Sequence, residues 1–135
     1  MLSNDDDNDD QMMEDKKKTR NFRKYPVWQQ AVDYATKVYK ITADMPYFEK
    51  KGLCDQLQRA AVSISSNVAE GSARTSDSEF AHFLDIALGS AYEVETQLLI
   101  SKNVGYIDIN IYNQLLDELI SIEKQLTGLV NSIRK

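Results

Sequence analysis

The sequence is poor in residues that cross-link or interrupt a chain: its 135 residues include one cysteine, two prolines and five glycines. The single cysteine excludes a disulfide framework within the chain, and so few glycines and prolines disfavour a many-turned β-sandwich. No apolar run approaches the roughly 18–20 residues that span a bilayer. No apolar stretch of about 7–15 residues follows the basic cluster near the N-terminus, as a secretory signal requires. These absences predict a cytoplasmic, largely helical protein without a membrane segment.

Charge is segregated in the first 24 residues. Residues 1–15 contain seven acids and no base, whereas residues 16–24 contain six bases and no acid. A segment with dense charge and low hydrophobicity cannot bury enough apolar surface to offset the entropy lost on ordering. We therefore expect residues 1–21 to form a mobile charged arm. Residues 22–135 are expected to form one bundle domain, which is long enough to bury a core.

From Pro26 onward, apolar residues recur at steps of three and four, the period of amphipathic helices. The spacing predicts helices over about 26–43, 50–70 and 76–103, and a fourth helix capped by Asp108 that carries an apolar heptad seam. Short connections force neighbouring helices to run in opposite directions. The sequence therefore predicts an all-α fold, an antiparallel up-down-up-down four-helix bundle.

Polar residues interrupt the apolar pattern on one side of each of the two middle helices. Neighbouring members are three or four residues apart and therefore stack along the helix: Gln56, Arg59, Ser63, Asn67 and Glu70 on the second helix, and Ser90, Glu93 and Gln97 on the third. We predict that these rows meet in a structural polar network, in which an Arg59–Glu93 pair would compensate two buried charges. The alternative is that both rows face water.

An apolar stripe on the first helix lies outside the face that packs in a single bundle. It consists of Trp28, Val32 and Tyr39, about 100° around the helix from the core-facing residues. An exposed apolar stripe of this kind commonly marks an association surface. We predict that it forms the interface of a homo-oligomer.

The basic segment 16–24 offers a different kind of surface. Its six bases could contact phosphates, and the rings of Phe22 and Tyr25 could stack on bases; the bases are Lys16, Lys17, Lys18, Arg20, Arg23 and Lys24. Residues 25–135 hold 10 bases and 14 acids, which is not the basic face of a typical nucleic-acid-binding domain. RNA or DNA binding through this segment is therefore the alternative function.

The sequence offers little for catalysis or metal binding. Glu79 and His82 have the Glu-x-x-His spacing of a di-iron helix. A di-iron site needs this motif on two helices, and His82 is the only histidine, so one chain cannot form such a site. Cys54 has no second cysteine and no nearby histidine, and we expect it to be a small, partly buried residue. We predict no catalytic residue, no metal, no cofactor and no enzymatic activity.

Four strings of the sequence resemble a bacterial family first noticed as open reading frames in intervening sequences of 23S ribosomal RNA genes. They are VWQ at 27–29, DQLQRAAVSI at 55–64, NVAEG at 67–71 and GSAYEVET at 89–96. The family carries an arginine pair before the first alanine of the second string, where this chain has Gln58 and Arg59. The polar row from Gln56 to Glu70 occupies the family's motif positions, so the resemblance also implies coupling of the two middle helices.

The resemblance implies a four-helix bundle that assembles into a ring of five subunits and is not an enzyme. It also implies distant kinship with accessory proteins of diversity-generating retroelements, which bind a reverse transcriptase and nucleic acid. The resulting prediction is a self-associating scaffold or adaptor, with a pentamer favoured and with nucleic acid or another protein as a possible partner.

Overall fold

The structure is a computed structural model that describes residues 20–135. Its four α-helices are α1 (Pro26–Thr42), α2 (Leu53–Ser72), α3 (Asp77–Asn103) and α4 (Ile109–Ile133), and no β-strand occurs in this part of the chain. Short 3₁₀ helices cover Phe22–Lys24 and Tyr47–Glu49. The all-α prediction is confirmed. The predicted charged arm lies outside the described residues except for Arg20 and Asn21.

The helix ends follow from local chemistry. Pro26 opens α1, where its missing N–H has no helical partner to lose. Ser76 Oγ accepts a hydrogen bond from the Glu79 amide at 3.1 Å and caps α3, while Gly105 leaves that helix with a φ of +87°, a conformation that suits glycine. The second helix begins at Leu53 rather than near residue 50, because a 3₁₀ turn occupies the preceding residues.

The helices form an antiparallel up-down-up-down bundle. Within the described chain, α1 packs against α2 and α4, and α3 packs against the same two helices, so α1 and α3 are diagonal to each other. Consequently the face formed by α1 and α2 lies on the opposite side of the bundle from the face formed by α3 and α4.

The core runs along the centre of this square. Its largest fully buried side chains come from all four helices: Tyr34, Val38, Leu57, Ile64, Val68, Phe80, Leu84, Val94, Leu98, Leu119, Ile122 and Leu126. The one hydroxyl among them is satisfied, because Tyr34 donates its phenolic hydrogen to the Leu115 carbonyl oxygen at 2.9 Å. Within the described residues, none of the helices combines the length and the apolar character that a membrane crossing needs.

Candidate functional site

The centres of the two polar rows meet between α2 and α3. The hydroxyl oxygens of Ser63 and Ser90 are 2.8 Å apart, and the Asn67 amide donates to Ser63 Oγ at 2.9 Å and to the Ser63 carbonyl at 2.8 Å. Ser90 is buried and the other two are half-buried. The serine pair therefore links the two helices, and Asn67 supports it from α2 through its hydrogen bonds to Ser63.

A second link lies further along the same pair of helices. The amide of Gln97, which is buried, donates to Gln56 Oε1 across a long 3.5 Å separation. Gln56 itself is exposed. The two rows thus touch at both levels, with the shorter hydrogen bonds at the serines.

The charged members of the rows do not meet. Arg59 Nε donates to both carboxylate oxygens of Asp55, at 3.0 and 3.1 Å, one turn earlier on its own helix. Arg59, Glu70 and Glu93 are all exposed. The expected Arg59–Glu93 pair is therefore replaced by an exposed pair within α2. The reason is rotational: Arg59 lies about 40° further around its helix than Ser63, and Glu93 about 60° beyond Ser90.

Small side chains bring α2 and α3 close together. Alanines alternate with the serines along the contact, and Gly71 faces the start of α3. A Cβ atom added at Gly71 would lie 2.6 Å from Phe83 Cβ and 3.0 Å from Phe80 Cδ1. At this end of the α2–α3 contact the two helices are so close that position 71 must be glycine.

The predicted interface stripe on α1 is only partly free. The Trp28 ring packs edge-on against Phe22, with 4.9 Å between centroids, because the turn before Pro26 folds the preceding segment back. Val32 is half-buried and Tyr39 is 50% exposed. Val62 of α2, also exposed, extends the apolar character of the same face.

Helix α3 carries further exposed apolar residues, which the sequence reading missed. Tyr92 is 52% and Leu99 43% exposed toward the α4 side, and Ile86 and Ile100 are exposed on the α2 side. Apolar side chains thus occupy most of the circumference of this helix. This all-round apolar character is the sequence signal that indicates a covered surface, because a helix that is apolar on all sides is normally buried.

The described part of the basic segment is folded onto the bundle. The Arg20 guanidinium pairs with Asp77, donates to the Arg74 carbonyl at 2.6 Å and lies over the Phe80 ring. Arg23 covers the Phe22 ring, and both Arg23 and Lys24 are exposed. The three consecutive lysines of the prediction lie outside the described residues: Lys16, Lys17 and Lys18.

Two carboxyl groups share the contact between α3 and α4. Burial, followed by a hydrogen bond and charge repulsion from Glu95, raises the pKa of Glu123 from its usual 4.5 to about 7. Both side chains are half-buried. No motif marked these residues, because their encounter depends on how α3 and α4 align, which a sequence pattern does not specify.

The residues considered for chemistry are dispersed. His82 is exposed, and Cys54 is buried with its Sγ 3.6 Å from the Thr42 carbonyl oxygen, where burial raises the pKa of the thiol. Residues 20–135 contain no group of three or more metal-ligating side chains. A depression of about 390 Å³ lies at the end of the bundle where α1 leads into α2.

The comparisons agree with this geometry. A solved structure of a protein of unknown function from the S23 ribosomal protein family of Bacteroides thetaiotaomicron has a TM-score of 0.69 and 26% sequence identity, and the match covers 77% of this chain and 97% of that one. No curated protein matches the chain. The sequence model of the 23S rRNA-intervening sequence protein family matches residues 23–128, which include both polar rows and their contact. The chain belongs to the 23S rRNA-intervening sequence protein family.

Proposed function

We propose that this protein is a cytoplasmic, non-enzymatic helical bundle that self-associates and serves as a scaffold or adaptor. The observation that carries the proposal is the exposure of Tyr92, Leu99, Ile86 and Ile100 on α3, a helix whose apolar character extends around most of its circumference. A monomer leaves these side chains in water, whereas a second copy of the chain bound at the α3–α4 face would cover Tyr92 and Leu99.

The positions of the apolar surfaces favour a particular kind of assembly. Val32, Tyr39 and Val62 lie on the α1–α2 face, and Tyr92 and Leu99 lie on the opposite α3–α4 face. Two different surfaces on opposite sides suit a heterologous, head-to-tail contact, which closes into a ring when the rotation between subunits allows it. The five-subunit ring implied by the family resemblance is an assembly of this type.

The proposal is tested by measuring molar mass with light scattering after size exclusion. The wild-type chain should elute at a multiple of its 15.4 kDa mass. Tyr39→Lys and Leu99→Lys should each reduce the assembly, because a charge placed in an apolar contact must be desolvated. A wild-type monomer at micromolar concentration would contradict the proposal.

Val104 provides the matched control. It is 56% exposed and lies just after α3, away from both faces. Val104→Lys also replaces an exposed apolar side chain by lysine, and a cation is compatible with a helix C-terminus. This variant should keep the wild-type molar mass, and a loss of assembly here would show that any added lysine disrupts it.

A further inference from the structure

The two most exposed large apolar side chains of the described chain are adjacent. Tyr47 is 84% and Phe48 77% exposed, and both lie on the 3₁₀ turn between α1 and α2. Neither belongs to the apolar faces assigned above to self-association. We call residues 46–52 the aromatic turn.

The aromatic turn is a firmly held platform. The Glu49 amide donates to the Pro46 carbonyl at 2.9 Å, and the Gly52 amide donates to the Glu49 carbonyl at 2.9 Å. The Glu49 side chain accepts a hydrogen bond from the Tyr106 hydroxyl at 2.7 Å, which ties the turn to the loop between α3 and α4. The two rings therefore project into solvent from a backbone that is already ordered.

The charge around the rings is positive although the whole chain carries a net charge of −5. Lys50 and Lys51 belong to the turn, and the Lys50 ammonium lies 5.6 Å from the centre of the Tyr47 ring. Lys40 lies in the last turn of α1. Among residues 20–135, none of these three lysines is within ion-pair distance of a carboxylate.

The two neighbouring acids are already engaged. Glu49 accepts the Tyr106 hydrogen bond, and Asp55 pairs with Arg59. Asp44 remains as an exposed acid beside the turn. The Glu49 carboxylate keeps its charge in this hydrogen bond, so the three lysines exceed the unpaired acids Glu49 and Asp44 by one positive charge.

A depression of about 390 Å³ adjoins the rings. Tyr39, Tyr47 and Lys50 line its sides, and Thr42 and Gln58 contribute polar groups that are hydrogen-bonded to each other at 2.9 Å. The depression thus combines the aromatic side chains of Tyr39 and Tyr47 with an amine and an amide, and Phe48 follows Tyr47 in the chain. Exposed rings that accept stacked bases, beside amines that attract phosphates, are the features that bind single strands with little sequence preference.

We propose that the aromatic turn is a binding site for single-stranded nucleic acid, with bases stacked on Tyr47 and Phe48 and phosphates held by Lys50 and Lys51. This site is distinct from the basic segment 16–24, and its depression borders the α1–α2 face at Tyr39. In an assembly the site would be repeated in every copy, so that a longer strand could engage several turns at once.

The direct test measures binding of labelled single-stranded DNA and RNA, about 15 nucleotides long, by fluorescence anisotropy with the full-length protein. Tyr47→Ala combined with Phe48→Ala should weaken binding at least about tenfold, since each ring that stacks on a base contributes substantially to affinity. Binding should weaken about sevenfold to eighteenfold between about 25 and about 100 mM salt, as expected for two to three phosphate contacts on a single strand.

Two controls distinguish binding at the aromatic turn from non-specific electrostatic attraction between the lysines and any polyanion. Replacing Lys16, Lys17 and Lys18 by glutamine should leave most of the affinity, and polyglutamate should compete weakly because it has no rings to stack. Absence of binding at the lower salt concentration would overturn the proposal. Loss of binding in the triple lysine variant with full binding in the double aromatic variant would also overturn it, and so would equal competition by polyglutamate.

A spectroscopic readout gives a second test. Tyr47→Trp should keep binding, and the fluorescence of the new tryptophan should be quenched when a base stacks on it. Wild-type protein, in which Trp28 is the only tryptophan, supplies the background. Binding without quenching beyond that background would overturn the stacking at Tyr47.

Discussion

Helix α3 is held by α2 on one side and by α4 on the other, and the two contacts are built differently. The α2 contact uses alanine, glycine and serine, with a hydroxyl pair at 2.8 Å between Ser63 and Ser90. The α4 contact uses large aliphatic side chains, including Leu119 and Ile122, and the carboxyl pair of Glu95 and Glu123. The stability of the α2–α3 contact therefore depends on how closely the two helices approach. The stability of the α3–α4 contact depends on how well large side chains fill the core and on the protonation of the carboxyl pair.

Three of the four strings that resemble the family lie on α2 and α3, and the fourth, at 27–29, lies on α1. Glycine and serine at a close helix contact cannot be exchanged for larger residues without moving the helices apart, whereas aliphatic residues in a seam tolerate exchange when total volume is kept. This difference explains why the α2–α3 pair carries recognisable strings and the α4 seam carries only a periodic pattern.

The largest expected effect is loss of volume in the α4 seam. Leu119→Ala removes a side chain that is fully buried, and we expect the free energy of unfolding to fall by about 3 kcal/mol. Urea denaturation followed by circular dichroism measures this change. A loss well below about 2 kcal/mol would mean that the seam is packed less tightly than its burial indicates.

The second effect tests close approach at the α2–α3 contact. Gly71→Ala places a methyl group 2.6 Å from Phe83 Cβ, and we expect a destabilisation of about 2 kcal/mol. Gly128→Ala is the matched control, because a Cβ there meets nothing within 4 Å. The control should stabilise α4 by up to about 1 kcal/mol. Equal effects of the two changes in urea denaturation would contradict the close contact.

The third effect concerns protonation at the α3–α4 contact. The pKa of Glu123 is raised to about 7 in the folded protein from 4.5, so the folded state binds more protons than the unfolded state between these values. The free energy of unfolding should therefore fall as pH rises through this window. Glu95 and Glu118 add negative charge in this region, and Lys37 pairs with Glu118. The Tyr34 hydroxyl stays neutral, because burial and these acids raise its pKa.

Replacing the acid by its neutral isostere separates this contribution from other titrations. Glu123→Gln should be more stable than wild type at about pH 8 by on the order of 1 kcal/mol, after allowance for solvent screening, and close to wild type at about pH 5. Asp117→Asn, at an exposed position of the same helix, is the control. Parallel pH profiles of wild type and Glu123→Gln in urea denaturation would refute the assignment.

The smallest effect isolates the hydroxyl pair. Ser63→Ala and Ser90→Ala should each cost about 0.5–1 kcal/mol, and the double variant should cost less than the sum because both remove the same hydrogen bond. A double-mutant cycle from urea denaturation gives the coupling energy. Strict additivity would show that the two serines do not interact, and the polar link between α2 and α3 would then reduce to the long Gln97–Gln56 hydrogen bond.

Much of the fold could be predicted because its signals are local. The capping box of Ser76 and Glu79 and the heptad seam of the last helix depend on residues within one or two turns. Helix α2 begins about one turn later than the sequence predicts, since residues 50–52 continue the polar pattern but complete the 3₁₀ turn. Helix existence was therefore more predictable than helix boundaries.

Contacts in the site can be predicted from the sequence only where the angular position of a residue around its helix determines which neighbour it meets. Ser63 and Ser90 face each other because both lie at the edge of an apolar face, whereas Arg59 points further out and finds Asp55 one turn away. The Glu95–Glu123 encounter depends on the alignment of separate helices. The covering of Trp28 by Phe22 likewise depends on tertiary contacts that no local pattern contains.

The account of assembly is tested most directly by mixing two variants that each damage a different face. Tyr39→Lys alters the α1–α2 face and Leu99→Lys alters the α3–α4 face, so each variant alone should be monomeric. In an equimolar mixture, the intact face of one variant can bind the intact face of the other once, and light scattering should show a dimer of twice the 15.4 kDa chain. A mixture that stays monomeric, or a single variant that still dimerises alone, would contradict the head-to-tail contact of opposite faces.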